Sequence, residues 1–247
     1  MKKKCPESLV KQIGFCPGCG HGIITRLVCE CVEELGIEKN FIFYMGVGCS
    51  SLQEGCMAYD TFMCSHGGAA ASASAAKRLL PEVIHMTYQG DGDAYVIGLS
   101  QTLNAAYRND NISVITVNNT NFGMTGGQMA WTTMPGQKTA TSVHGRDCST
   151  TGLPILVPEL IAESKCFNTA YVARGTLTTP AEINKTKSYI KKALKNQMEH
   201  KGHSLVEVVS PCPTNWHMEG DPTKALDRIT DELLGYYKLG ELKVRED

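Results

Sequence analysis

Short apolar runs alternate along this chain with longer segments in which apolar side chains recur every three or four residues. The apolar runs predict buried β-strands at residues 41–45, 83–88, 112–117, 169–172 and 204–209. The helical spacing predicts helices at residues 23–35, 69–80, 94–107, 158–164, 180–199 and 221–240. Because strands and helices alternate, we expect an α/β fold with a mostly parallel sheet and helices on both faces. No repeat or linker interrupts the pattern, which favours one domain over residues 1–247.

Two turns rich in glycine and oxygen-bearing side chains follow neighbouring strands of this pattern. The first is Gly90-Asp91-Gly92-Asp93, and the second runs from residue 118 to residue 128. A predicted helix separates them, so both turns lie at the carboxyl ends of a βαβ unit, where open α/β sheets bind ligands. Glycine lets backbone amides approach phosphate oxygens, and carboxylate and amide oxygens suit Mg²⁺. The pattern therefore predicts that Asp91 and Asn119 hold a cation beside a phosphate group.

One stretch, residues 129–154, shows no clear periodicity. Long irregular segments are uncommon in compact domains and tend to be functional. We expect this loop to cover a cofactor or to meet a partner chain.

Composition excludes some classes of function. The chain has 24 basic and 25 acidic residues and no basic stripe, so we expect no nucleic-acid partner. No apolar run is long enough for a membrane span or a secretory signal, and we therefore expect a cytoplasmic protein without membrane contact. The eleven cysteines are then expected to be thiols or metal ligands.

Four cysteines stand in segments that are predicted to lie near strand ends. Cys16 and Cys19 share a Cys-x-x-Cys turn, and Cys49 and Cys212 each follow a strand. Four thiolates can hold a [4Fe-4S] cluster, and a structural zinc ion uses the same number. The Cys-x-x-Cys pair is also compatible with a redox pair, whereas Gly20 after Cys19 argues against haem attachment. The spacing leaves the cluster, the zinc site and the redox pair open.

The paired motifs resemble those of a known family. Gly-Asp-Gly at 90–92 and Asn-Asn at 118–119 are similar to the thiamine diphosphate motif, and the longer forms Gly-Asp-Gly-Asp and Gly-Met-Thr-Gly-Gly-Gln narrow the match. Over about residues 12–215 the chain resembles the thiamine-binding β subunit of the 2-oxoacid:ferredoxin oxidoreductases. The segments Cys-Pro-Gly-Cys-Gly, Gly-Cys-Ser and Ser-Pro-Cys are similar to the cluster-binding segments of that family. The resemblance implies a [4Fe-4S] cluster on Cys16, Cys19, Cys49 and Cys212.

The same resemblance implies roles for individual residues. Mg²⁺ would be bound by the side chains of Asp91 and Asn119 and by the backbone carbonyl of Asn121. His66 lies in a segment similar to the family's His-Gly-Arg and is expected to approach the cofactor as a catalytic residue, a hydrogen-bonded loop histidine being the alternative. The other residues expected to bind cofactor are Gly48, Cys49, Gly90, Gly92, Asp93, Thr125 and Gly126.

The implied activity is oxidative decarboxylation of a 2-oxoacid with coenzyme A, the electrons passing through the cluster to ferredoxin. Ser51 and Leu52 stand where the family often has a cation, and Gly68 replaces the arginine after His66-Gly67. Because an unpaired buried carboxylate is costly, a branched-chain substrate such as 2-oxoisovalerate is favoured over 2-oxoglutarate. Pyruvate and indolepyruvate are further alternatives.

No residue of this chain is an obvious activator of the thiamine pyrimidine ring. Glu54 is the only acidic residue in a suggestive loop, and the family carries its pyrimidine-binding domain elsewhere, often on an α subunit. We therefore expect an α subunit, with possible small γ and δ subunits, and no activity of this chain alone. A nonoxidative thiamine enzyme and a non-catalytic iron–sulfur electron-transfer module are the competing functions.

Overall fold

A central sheet carries the functional turns in the computed structural model, which describes residues 5–218 and 221–245. The α-helices are α1 (His21–Leu35), α2 (Ala69–Leu79), α3 (Leu99–Tyr107), α4 (Cys148–Thr151), α5 (Val157–Glu163), α6 (Pro180–Met198) and α7 (Pro222–Arg228). The strands are β1 (Phe41–Met45), β2 (Asp60–Met63), β3 (Ile84–Gly90), β4 (Ser113–Asn118), β5 (Asn121–Phe122), β6 (Gln128–Met129), β7 (Tyr171–Thr176), β8 (Ser204–Val209) and β9 (Gly240–Val244).

Seven of these strands form one sheet in the order β2-β1-β3-β4-β8-β7-β9. Every neighbouring pair is parallel except β7 and β9, which are antiparallel. The carboxyl ends of β1, β3, β4 and β8 therefore lie along one edge. The mostly parallel sheet confirms the expected fold class.

Helices cover both faces of the sheet, as expected. Helices α1 and α6 pack on one face, where Val28 and Leu194 join a buried cluster with Phe43 and Met86 of the strands. Helices α2, α3 and α5 cover the other face. The small side chains of α2, such as Ala70, are fully buried and let this helix lie close to the sheet.

The carboxyl-terminal segment adds a smaller apolar cluster beside the edge of the sheet where the carboxyl ends of the parallel strands lie. Trp216, Ile229, Leu233 and Tyr237 pack there against Val209 at the end of β8. None of the helices within residues 5–218 and 221–245 is long and apolar enough to cross a membrane.

Several elements differ from the sequence-based expectation. The helix expected at 94–107 begins as a π-helical turn, Gly92–Ile97, and becomes α-helical only after Gly98. A Cβ at Gly98 would lie 2.5 Å from the backbone oxygen of Gly67, so only glycine permits this approach of two backbones. The helix expected at 221–240 is also wrong in part, because it ends by Leu233 and is followed by the edge strand β9.

Candidate active site

The turns after β1, β3 and β4 enclose a cavity of about 120 Å³ at the carboxyl edge of the sheet. All the residues expected to bind cofactor line it except Gly126, which lies in a neighbouring groove with Lys138. The expected residues that line the cavity are Gly48, Cys49, His66, Gly90, Asp91, Gly92, Asp93, Asn119, Asn121 and Thr125. Residues from segments that are far apart in sequence thus line the same cavity.

Three oxygen atoms converge at one side of this cavity. The side-chain oxygen of Asn119 lies 2.7 Å from the backbone oxygen of Asn121 and 3.2 Å from Oδ1 of Asp91. These acceptors repel each other unless the Asn119 amide rotates to donate or a cation lies between them. Mg²⁺ binds oxygen at about 2.0–2.1 Å in an octahedron, which places adjacent ligands about 3 Å apart. The spacing and chemistry of the three oxygens therefore fit a magnesium ion.

A strained backbone residue sets this geometry. Thr120 has a φ of 61°, a left-handed conformation that is unusual for a β-branched residue. Its backbone oxygen accepts a hydrogen bond from Oγ1 of Thr133 at 2.7 Å, and its hydroxyl accepts one from Nε2 of Gln137 at 3.0 Å. These contacts hold the turn between Asn119 and Asn121. Strain of this kind persists only where the surroundings enforce it, and it is concentrated at functional sites.

Asp91 is almost fully buried, with 1% of its surface exposed. Burial raises the pKa of its carboxyl group to about 7, although the hydroxyl of Thr132 and the backbone N–H of Gly92 oppose the shift. A nearby cation would favour the ionised form and lower this pKa. The carboxylate is thus in a place where a positive charge stabilises it strongly.

His66 is held by a second buried carboxylate, that of Asp93. Asp93 contacts Nδ1 of His66, and it accepts hydrogen bonds from the backbone N–H of Gly67 at 2.8 Å and from Nε2 of Gln89 at 2.5 Å. A Cβ at Gly46 would lie 2.0 Å from Oδ2 of Asp93, so glycine is needed there. Both oxygens of Asp93 are engaged within the protein, which makes it an anchor for the His66 ring.

His21 also lines the cavity, and the sequence reasoning missed it as a site residue. It is buried at the start of α1, where Nδ1 lies 2.9 Å from the hydroxyl oxygen of Tyr88 and the ring stacks on Phe15. Burial lowers the pKa of His21 to about 4, so the ring is neutral near pH 7. Its place directly after Cys-Pro-Gly-Cys-Gly is the signal that could have identified it.

The four expected cluster ligands lie in one region beside the cavity. Burial raises the pKa of Cys19 to about 12 and that of Cys49 to about 11, and the nearby thiols of the set add to both shifts. Cys16 is exposed, whereas Cys212 is buried and its sulfur accepts a hydrogen bond from Asn215 Nδ2 at 3.4 Å. Among the residues that the structure describes, no three His, Cys, Asp or Glu side chains are grouped closely enough to share a metal ion.

The irregular stretch after β6 is organised around Arg146. This arginine is buried and donates hydrogen bonds to the backbone oxygens of Trp131 at 3.0 Å, Thr133 at 2.5 Å and Leu153 at 3.2 Å. The loop closes on this side chain and presents the hydroxyl of Thr132 to Asp91. The segment therefore supports the oxygen-rich side of the cavity.

Taken together, the parallel sheet, the open glycine turns and the oxygen atoms at the sheet edge match what is expected of a domain that binds a diphosphate cofactor. Residues 46–208 match the family model described as "Thiamine pyrophosphate enzyme, C-terminal TPP binding domain". The chain belongs to this family, in the group of 2-oxoacid:ferredoxin oxidoreductase subunits that its relatives identify, and the expected resemblance is confirmed.

Curated relatives include ketoisovalerate oxidoreductase subunit VorA of Methanothermobacter marburgensis, which is 40% identical over 212 residues. That match covers 84% of this chain and 43% of VorA, so the chain spans less than half of that relative. 2-Oxoglutarate synthase subunit KorB of Archaeoglobus fulgidus is 35% identical over 218 residues, covering 88% of this chain and 75% of KorB.

A solved structure has the same fold. It is the 2-oxoglutarate:ferredoxin oxidoreductase from Magnetococcus marinus with 2-oxoglutarate, coenzyme A and succinyl-CoA bound. The TM-score is 0.75 at 26% sequence identity, and the match covers 90% of this chain and 73% of that one.

Proposed function

We propose that this chain is the thiamine diphosphate-binding subunit of a 2-oxoacid:ferredoxin oxidoreductase that produces acyl-CoA and CO₂. The observation that carries the proposal is the approach of the turn at residues 118–128, called here the cofactor turn, to Cys49, one of the four proposed cluster cysteines. A Cβ on Gly123 would lie 3.3 Å from Sγ of Cys49 and 3.4 Å from Nδ2 of Asn119. Gly123 therefore stands between the oxygen ligands and a thiol, where a cofactor and an electron acceptor would be neighbours.

The cavity can hold the cofactor through this chain's own groups. Asp91, Asn119 and the backbone oxygen of Asn121 would bind Mg²⁺, with the diphosphate against the glycine turns and Thr125. Gly48 and Gly90 in the cavity, and Gly126 in the neighbouring groove, have open space where a Cβ would stand, which leaves the backbone accessible to phosphate oxygens. Thiamine diphosphate supplies, when bound, the nucleophile and electron sink for 2-oxoacid decarboxylation.

We assign the [4Fe-4S] cluster to Cys16, Cys19, Cys49 and Cys212. Support comes from the shared location of the four thiols next to the cofactor turn and from the need for a one-electron outlet. Burial disfavours isolated thiolates here, and a bound cluster would offset that cost through the positive charge of its iron–sulfur core.

His66 is the residue of this chain best placed to move a proton. Its Nδ1 is engaged by Asp93, which leaves Nε2 as the atom that can exchange a proton with a bound molecule. Asp93 fixes the ring orientation, and the ring edge of Phe122, 6.5 Å away between centroids, limits its movement. We propose that Nε2 donates to or accepts from the substrate in the cavity.

The preferred substrate is a branched-chain 2-oxoacid such as 2-oxoisovalerate, with 2-oxoglutarate, pyruvate and indolepyruvate as alternatives. VorA is among the relatives, although KorB subunits are too. A Cβ at Gly68 would lie 2.5 Å from Oγ of Ser65, so an arginine at this position would require rearrangement. Without a cation at this position, the second carboxylate of a substrate such as 2-oxoglutarate has no obvious partner.

Partner chains are part of the proposal. Glu54 is exposed and outside the cavity lining, so the glutamate that activates the pyrimidine ring is expected on an α subunit. Small γ and δ subunits, ferredoxin and coenzyme A complete the proposed assembly. A cytoplasmic location is supported by the eleven cysteines, all within the described residues, none of which forms a disulfide bond.

The test is anaerobic purification of the chain with its co-expressed partners, followed by analysis of iron, acid-labile sulfide and bound thiamine diphosphate. Cluster and cofactor are both expected, with faster CoA-dependent turnover of 2-oxoisovalerate than of 2-oxoglutarate. Stoichiometric zinc without sulfide would refute the cluster assignment. A brown complex that never binds thiamine diphosphate would favour the electron-transfer module, and faster turnover of 2-oxoglutarate would refute the substrate preference.

A further inference from the structure

The segment between β8 and α7 hydrogen-bonds the cofactor turn at two points. Nδ2 of Asn215 donates to the backbone oxygen of Gly123 at 2.7 Å and to Sγ of Cys212 at 3.4 Å. Nε1 of the next residue, Trp216, donates to the backbone oxygen of Asn119 at 3.2 Å. One short segment therefore carries a proposed cluster cysteine and also contacts the turn that carries the oxygen ligands.

The amide of Asn215 is fixed in this position. Gly127, with a φ of 79°, passes so close that a Cβ there would lie 3.0 Å from Cβ of Asn215. The Trp216 ring packs in the carboxyl-terminal apolar cluster, and the guanidinium of Arg228 lies 4.4 Å from its centroid. The amide group of Asn215 faces the backbone oxygen of Gly123 and the sulfur of Cys212. Because both accept hydrogen bonds, the amide nitrogen and not the amide oxygen must face them.

We propose that Asn215 is a positioning residue that raises the reduction potential of the cluster bound by Cys212 and ties that ligand to the cofactor turn. The inference rests on the proposed function, because it requires the cluster. An N–H group pointing at a thiolate sulfur stabilises negative charge on the cluster, and hydrogen bonds to the sulfurs are among the factors that set cluster potentials. The reduced cluster carries one more negative charge than the oxidised cluster, so it gains more from the bond.

The second hydrogen of the same amide adds a geometric link. Because it is donated to Gly123, the position of the N–H group relative to Cys212 depends on the position of the cofactor turn. Reduction adds one electron to the cluster, and Asn215 keeps both of its amide hydrogens throughout. The side chain thus acts through electrostatics and position alone.

The test is an anaerobic potentiometric titration of the purified complex, followed by EPR of the reduced cluster. Asn215→Leu removes both donors at similar volume, and Asn215→Asp replaces the donor with an anionic oxygen. Thr214→Ala, at an exposed position in the same segment, is the matched control. We expect the midpoint potential to fall in the order wild type, Leu variant, Asp variant, with no change in the control. A tenfold change in the one-electron equilibrium corresponds to about 59 mV.

The outcomes separate this inference from the proposed function. Wild-type complex without iron and sulfide would refute the cluster itself, and the proposed function with it. Unchanged potentials in both Asn215 variants that retain full iron content would refute the role of Asn215 and leave the proposed function standing. Loss of iron from both variants, with the control intact, would make Asn215 a residue needed to hold the cluster and would overturn its role in setting the potential.

Discussion

The hydroxyl of Thr132 donates a hydrogen bond to Oδ2 of Asp91, although the two residues are 41 positions apart in sequence. The backbone oxygen of Thr132 accepts a hydrogen bond from the hydroxyl of Tyr237 at 2.5 Å. Both Thr132 and Tyr237 are fully buried. The orientation of the proposed magnesium ligand therefore depends on the irregular loop and on the carboxyl-terminal segment, neither of which belongs to the cofactor motif.

Replacing Thr132 with valine should weaken binding of thiamine diphosphate with Mg²⁺. The substitution keeps the shape of the side chain and removes the donor to Asp91, and a hydrogen bond to a charged group contributes about 1.5–3 kcal/mol. We expect an increase of about tenfold or more in the Mg²⁺ concentration needed for cofactor binding, measured by isothermal titration calorimetry. Thr223→Val, at an exposed position in α7, is the matched control. Equal affinities for the two variants would show that Thr132 does not position Asp91.

Gly90→Ala should abolish cofactor binding while leaving the fold intact. A Cβ at Gly90 meets no protein atom within 4 Å and would project into the proposed diphosphate cradle. We expect an unchanged melting temperature for the free protein and loss of the stabilisation that thiamine diphosphate with Mg²⁺ gives the wild type. Gly235→Ala is the control, because its Cβ also meets nothing within 4 Å. Normal stabilisation of the Gly90 variant by the cofactor would place the diphosphate elsewhere.

Arg174→Met should destabilise the protein strongly. The Arg174 guanidinium is fully buried between Glu207 on the neighbouring strand, at 2.5 Å, and Glu159 of α5, at 2.5 and 2.7 Å. Removing it leaves two carboxylates without their cation, which costs about 3–5 kcal/mol of unfolding free energy. Urea unfolding would measure this loss.

Two further variants make the Arg174 prediction specific. Adding Glu207→Gln to Arg174→Met should restore part of the lost stability, because one unpaired charge is removed. Arg78→Met, which breaks an exposed pair with Asp110, should change stability far less. If Arg174→Met and Arg78→Met lowered the free energy of unfolding by similar amounts, burial of the Arg174 ion pairs would not be the cause of the loss.

His203 should make stability depend on pH. Burial lowers the pKa of His203 to about 4 from the ordinary value of 6.5, so the folded protein keeps the ring neutral. Between these values the unfolded chain binds a proton that the folded chain does not, and stability therefore falls as the pH falls from 6.5 towards 4. The full loss of unfolding free energy from this pKa shift is about 3 kcal/mol.

The measurement is the free energy of unfolding of His203→Leu across this pH range. The slope of this free energy against pH should be shallower than in the wild type by up to one proton. His21, whose pKa burial lowers, and Asp91, whose pKa burial raises, contribute slopes of opposite sign that are the same in both proteins, so the difference between the two slopes isolates His203. His144→Leu, at an exposed histidine, should leave the slope unchanged. Parallel slopes for wild type and the His203 variant would refute the assignment.

Much of the fold was predictable because its signals are local. The strand at 41–45 has the predicted bounds, and helix α1 ends before Gly36, which adopts a φ of 66° that glycine tolerates. The edge strands β2 and β9 were missed, since short and partly exposed strands lack an apolar run. The π-helical start of the segment after Asp91 depends on the approach of Gly67 to Gly98, a contact that no local pattern encodes.

By itself, the sequence determined the parallel α/β class, the two cofactor turns and the four candidate cysteines, because strand periodicity and motif spacing are properties of neighbouring residues. Only the tertiary structure decided that the Asn119 amide lies between Asp91 and the backbone oxygen of Asn121, and that Thr132, His21 and Asn215 join the site. These relationships depend on side chains meeting across the sheet edge from distant segments. Their geometry is set by burial and by hydrogen bonds that form only when the whole chain has folded.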